Sequence, residues 1–119
     1  MLNDAKGFSS VYLVTGYTDL RRDIDGLAAI VESTYKLDPY QKNVLFLFCG
    51  RCSDRIKGLV FEGDGFLMLY KRLEAGCFTW PRNENEALSL TPQQYVWLME
   101  GLSIEQKKLI PHIKPKRIA

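Results

Sequence analysis

The stretch Arg55-Ile-Lys-Gly-Leu-Val-Phe-Glu62, Gly63-Asp-Gly65 and Phe66-Leu-Met-Leu-Tyr-Lys-Arg-Leu73 decides how this chain is read. Two strand-like runs flank a turn built from residues that tolerate positive φ, the pattern of a β-hairpin. Side chains alternate faces along a strand, so an even-numbered turn pairs odd positions before it with even positions after it. That parity holds for a loop of two residues or of four. One face then carries Arg55, Lys57, Leu59, Phe61, Phe66, Met68, Tyr70 and Arg72. The other carries Ile56, Gly58, Val60, Glu62, Leu67, Leu69, Lys71 and Leu73 and is the better core candidate near its middle. The first face gathers three cations and a tyrosine at the end far from the turn. A bulged three-residue turn would break this assignment.

Before the hairpin, Val44-Leu-Phe-Leu-Phe48 is apolar without alternation, as expected of a central strand covered on both faces. Val11-Tyr-Leu-Val-Thr15 reads as a strand ended by Gly16. Leu20, Ile24, Leu27, Val31 and Tyr35 then recur at helical spacing, with Thr18 or Asp19 as the expected cap and Asp38-Pro39 as the stop. After the hairpin, Cys77-Phe-Thr-Trp80 reads as another short strand stopped by Pro81, and residues 82–87 as an exposed polar loop. Leu88-Ser-Leu90 is a candidate for brief pairing with the sheet. Thr91-Pro92 opens a second helix with Tyr95, Leu98, Met99 and Leu102 as its buried stripe and Gly101 as its end. The order β-α-β-β-β-(β)-α predicts an α+β domain, an antiparallel sheet of four to five strands with two main helices packed on it.

The chain has 119 residues, 46% apolar and 25% charged, which fits one cored domain and argues against a disordered or disulfide-framework protein. Its net charge of +2 is unevenly divided, because Lys107, Lys108, Lys114, Lys116 and Arg117 leave a body at −3 and a tail at +5. Residues 1–106 are expected to form the single domain and 107–119 a basic, mobile tail. Bulk charge therefore gives no warrant for nucleic-acid binding. With no apolar run long enough for a membrane span, no signal peptide and three cysteines, the expectation is a cytoplasmic protein with reduced thiols and no membrane partner.

The chemistry-bearing residues are sparse. Arg55, Lys57 and Arg72 beside Tyr70, extended by Arg51, suit backbone phosphates and an unstacked base; they also fit solvated side chains at the end of a hairpin. Arg21 and Arg22 make a second candidate patch, with pairing to Asp19 or Asp25 as the structural alternative. Cys49-Gly-Arg-Cys52 has the spacing of a zinc half-site or dithiol, but the rest of either site is missing. Asp19, Asp23, Asp25, Glu62 and Asp64 are available for a metal-dependent nuclease, yet the helix start and the turn account for Asp19, Asp23 and Asp64. His112 falls in the expected tail. No catalytic set, metal or cofactor is expected. Trp80 and Trp97 are candidate partner-binding anchors, against the commoner fate of tryptophan at a core edge.

Taken in order, Gly16-Tyr-Thr-Asp-Leu-Arg-Arg22, Ile24-Asp-Gly-Leu27, Asp54-Arg-Ile-Lys57, Gly63-Asp-Gly-Phe66, Tyr70-Lys-Arg-Leu-Glu74, Gly76-Cys-Phe-Thr-Trp-Pro81, Leu90-Thr91 and Glu100-Gly101 closely resemble one family. This is the accessory protein encoded by the second open reading frame of the insertion sequence sixty-six family, TnpB-like there and unrelated to the RNA-guided nuclease of that label. The resemblance implies a non-catalytic helper of DNA transposition in bacteria, with the separately encoded transposase as partner. Where the family tends to be richer in arginine, this chain has Cys49-Gly-Arg-Cys-Ser53, which reduces part of that basic surface. The expected role is an accessory protein that binds DNA, the transposase or both, with Arg51, Arg55, Lys57, Arg72, Arg21, Arg22, Lys114, Lys116 and Arg117 as the phosphate contacts and Tyr70 stacking or packing beside them. The alternative is a pure protein-interaction module in which Tyr70, Trp80 and Trp97 matter more than the cations.

Overall fold

The computed structural model describes residues 2–3, 6–106 and 110. The expected tail, with Lys107, Lys108, Lys114, Lys116 and Arg117, lies outside the described residues apart from Ile110. Five strands, β1 (Ser10–Val14), β2 (Val44–Cys49), β3 (Arg55–Phe61), β4 (Phe66–Arg72) and β5 (Ala87–Ser89), form one sheet in the order β4-β3-β2-β1-β5. Helix α1 (Ile24–Ala29) runs on into a π-helical segment (Ile30–Thr34), and α2 (Pro92–Met99) follows β5.

The α+β class holds, but the sheet is mixed rather than antiparallel: β1 runs parallel to β2, while all other neighbours are antiparallel. The reason lies in the connection. A crossover carrying a helix is long enough to return the chain to the same end of the sheet, which a hairpin cannot do. The continuous apolar run of β2 sits third of five strands and is buried at every position. The hairpin pairs Arg55 with Arg72, Lys57 with Tyr70, Leu59 with Met68 and Phe61 with Phe66, across a four-residue loop. The even-turn parity therefore holds.

Both faces of the sheet are covered. Val11, Leu13, Leu45, Leu47, Ile56 and Val60 pack under Tyr95 and Leu98 of α2. On the opposite face Phe46, Phe48 and Leu59 pack against Leu27 and Val31, with Phe66 and Met68 at the margin. The cation-bearing face of the hairpin is thus also core at its centre, and only its far end reaches solvent.

Three local expectations change. Asp23, not Thr18 or Asp19, caps α1 by accepting from the Gly26 amide. Cys77-Phe-Thr-Trp80 forms no strand: Phe78 and Trp80 point inward while Cys77 and Thr79 face out, an alternation that mimics a strand, but among the described residues the segment joins no ladder. It is a plug at the sheet end, where the Phe78 amide donates to the Ser53 carbonyl at 2.7 Å and Trp80 Nε1 donates to the Val14 carbonyl at 2.9 Å. Leu102, expected in the α2 stripe, is 45% exposed, because Gly101 at φ 83° turns the chain away before it.

Candidate nucleic-acid interface

Three loops meet where β1 and β2 end and β3 begins. The first is 15–23, the second 50–54, and the third 73–86. Their meeting is built mainly from backbone hydrogen bonds. The Thr18 amide donates to the Cys49 carbonyl at 2.9 Å, Gly16 N to the Pro81 carbonyl at 2.9 Å, and Leu73 N to the Asp54 carbonyl at 2.6 Å. Thr15 is fully buried and closes the third loop, donating its hydroxyl to the Glu84 carbonyl while accepting from the Glu86 amide. Gly16 adopts φ 75°, and a Cβ there would overlap the Asn85 side chain.

Arg82 ties the three loops together. Its guanidinium donates to the Gly16 carbonyl at 2.7 Å, the Gly50 carbonyl at 2.6 Å and Ser53 Oγ at 2.9 Å. It lies 4.5 Å from the ring centroid of Tyr17, which Arg51 also approaches at 5.9 Å. No carboxylate pairs with Arg82 among the described residues; carbonyl and hydroxyl oxygens satisfy it. Sequence reading placed this residue in an exposed polar loop and missed it, since nothing local distinguishes a loop arginine that folds inward. The only available signal was its position directly after Trp80-Pro81.

The first two loops, with the start of β3 and the end of β4, border an open groove of about 670 Å³ lined by Asp19, Arg21, Arg51, Arg55 and Tyr70, among others. Four of the residues singled out from the sequence therefore converge, although they come from three separate segments. Arg72 is the cross-strand partner of Arg55 and extends the cationic rim. Arg21 is bidentate on Asp19 (Nη2 to Oδ2 2.8 Å, Nε to Oδ1 3.0 Å), Arg55 meets Asp54 at 3.1 Å and Arg72 meets Glu74 at 3.1 Å. All three pairs are open to solvent, and such pairs contribute little to stability. The Arg21 side chain is 91% exposed. The Arg21 guanidinium nevertheless holds the Asp19 carboxyl well below the usual carboxylate range, and Arg55 lowers that of Asp54. Arg51 has no carboxylate partner among the described residues.

Two candidates are withdrawn from the surface. Lys57 is buried, and its Nζ donates to the Arg22 carbonyl at 2.9 Å, so it anchors the approach to α1 instead of facing a ligand. Its burial follows from β3 being an inner strand whose cation-bearing face α1 covers. Trp80, 5% exposed and bonded to Val14, belongs to the core rather than to a partner surface. Arg22 is exposed, with its stem beside Gly26. Trp97 is half-buried on α2.

The cysteines do not come together as a metal site. Cys49 is buried and Cys52 and Cys77 are exposed; burial pushes the Cys49 thiol up, with Arg82 opposing the shift. Among the described residues no group of three His, Cys, Asp or Glu side chains is placed to hold a metal ion, and no helix is long and apolar enough to cross a membrane.

Comparison with known proteins agrees with this arrangement of motifs. The family model described as IS66 Orf2 like protein matches residues 9–109. Among curated proteins, the chain is 37% identical over 92 residues to the uncharacterized protein y4hO of Sinorhizobium fredii, covering 77% of this chain and 79% of that one. It is 30% identical over 119 residues to the uncharacterized protein y4jC of the same organism, covering the whole of both. No solved structure matches. The groove-forming loops, the hairpin and the Trp80 plug all fall inside the matched span, and the chain belongs to the family of IS66 Orf2 like proteins.

Proposed function

We propose that this chain, as a member of a transposition accessory family, assists transposition by contacting DNA backbone phosphates with Arg21, Arg51, Arg55 and Arg72. The observation that carries the reading is the convergence of Arg21, Arg51 and Arg55 with Tyr70 on one groove. Arginine suits this task because its planar fork meets phosphate oxygens in a bidentate way. The three carboxylates beside these arginines do not forbid it. They hold the guanidinium groups in place on solvent-exposed bridges that a phosphate can displace, and Arg51 has no carboxylate competitor among the described residues. Local charge, rather than bulk charge, then governs contact, so affinity is modest and falls with salt.

A second reading rests on α2. Val96 and Leu102 are 41% and 45% exposed, which leaves a strip of chain from α2 to just past its end with two apolar side chains open to solvent and Trp97 half-buried. That strip suits contact with the separately encoded transposase, and it leaves the groove free for DNA. The test is a pull-down of the tagged protein from cells carrying the whole element, with and without nuclease. Recovery of element DNA that is lost on changing Arg51, Arg55 and Arg72 to Ala supports the DNA reading. Recovery of transposase that survives nuclease and those changes, with no DNA, sinks it in favour of the α2 strip.

A further inference from the structure

We infer that the groove is built for an unpaired DNA strand rather than for a duplex, a specificity that rests on the DNA-binding reading above. Proteins that read a duplex insert something convex, an α-helix or a two-stranded ribbon, into the major groove. Among the described residues, the helices offer no cationic convex face. Neither α1 with its π-helical continuation nor α2 carries a lysine or arginine, and α1 begins with Asp23 and Asp25. The hairpin tip carries Glu62 and Asp64, with the Lys42 side chain packed beside Gly63. Neither described helix therefore presents the cations that a duplex groove would call for. Arg21, Arg51 and Arg55 line a concavity instead.

That concavity also holds an exposed ring. Tyr70, 53% exposed, lines the groove together with Arg55 and Arg51, and Arg51 also lies 5.9 Å from the ring centroid of the exposed Tyr17. A cationic channel that tracks the backbone, with an aromatic face on which a base can stack, is the arrangement that holds single strands with little sequence preference. Bases locked in a duplex cannot reach Tyr70, so the ring discriminates only when a strand is open. Arg82 acts as a positioning residue, because it ties the carbonyl of Gly50, which lines the groove, to that of Gly16 in the loop leading to Thr18 and Arg21.

The experiment is fluorescence anisotropy with a labelled oligothymidylate of roughly 16 nucleotides, the upper end of single-domain site sizes, against a duplex of the same length at matched salt. The single strand is expected to bind more tightly. Tyr70→Ala should weaken it by roughly fivefold or more, as the loss of one base stack implies, while leaving duplex affinity within about twofold. Tyr70→Phe should restore single-strand binding. A thermal melt of each variant separates a folding defect from a binding one, and Tyr70 has little buried surface to lose. Equal or tighter duplex binding, or equal losses on both probes, overturns the inference while leaving phosphate contact intact. Failure of both probes to bind overturns the DNA reading itself.

Discussion

The guanidinium of Arg82 reaches Gly16, Gly50 and Ser53 at once, and no other described side chain bridges the loops in this way. Hydrogen bonds from a charged donor contribute about 1.5–3 kcal/mol each, and their loss leaves carbonyls without partners. Arg82→Ala should therefore lower unfolding stability by about 2–4 kcal/mol in urea titration, and Arg82→Lys should not recover it, because an ammonium cannot span the same acceptors in one plane. Acidic titration gives a second check. The Arg21 bridge lowers the Asp19 carboxyl in the folded protein, so its contribution is present above the ordinary pKa of about 3.9 and is lost as pH falls through the lowered value. Both groups are exposed, so the effect on stability is small, but the carboxyl carbon resonance of Asp19 should titrate well below that of an unpaired aspartate. In Arg21→Ala it should return toward the ordinary midpoint. Of these residues, Arg21 and its pairing with Asp19 were legible in the sequence, since two positions apart they need only a local turn. Arg82 was not. Its partners are 29 to 66 residues away, and only tertiary structure brings them to it.

Among the elements, α2 is the one whose ends follow most directly from its residues. Thr91 accepts from the Gln94 amide at 3.1 Å while Gln94 returns a side-chain bond to the Thr91 amide at 2.9 Å, a complete capping box with Pro92 following the cap. Thr91→Ala should cost about 1 kcal/mol in thermal or denaturant unfolding, and Thr91→Ser should cost little. Capping, turn parity and the apolar run of β2 are local signals and were readable. The parallel pairing of β1 with β2 was not drawn from the β-α-β order, although a helical crossover implies it. The Cys77-Phe-Thr-Trp80 segment shows the opposite failure. Its alternation is real, but alternation records which side chains are buried and not whether the backbone finds a ladder. The π-helical continuation of α1, where the Tyr35 amide bonds to the Ile30 carbonyl at 3.3 Å, kept the Val31 and Tyr35 stripe inward and so left no mark on the periodicity.

At the scale of the molecule, charge is arranged by location and not by amount. The described body is slightly acidic in sum, yet Arg21, Arg51 and Arg55 gather on one groove beside fewer carboxylates, Asp19 and Asp54, while other acids occupy the helix start and the hairpin tip. Lys57 shows why sequence alone overcounted this site. The hairpin parity put it on the correct face, but that face is covered by α1 at its position and open only beyond it. The most direct test of the account is the salt dependence of DNA binding, measured as the slope of log affinity against log salt for the protein and for Arg51→Ala, Arg55→Ala and Arg72→Ala combined. On a single strand the triple variant should lose about 2 from the magnitude of that slope, at roughly 0.7 per phosphate contact, while Lys57→Met keeps the full slope. An unchanged slope in the triple variant, or binding that ignores salt, would contradict the assignment of this groove to DNA.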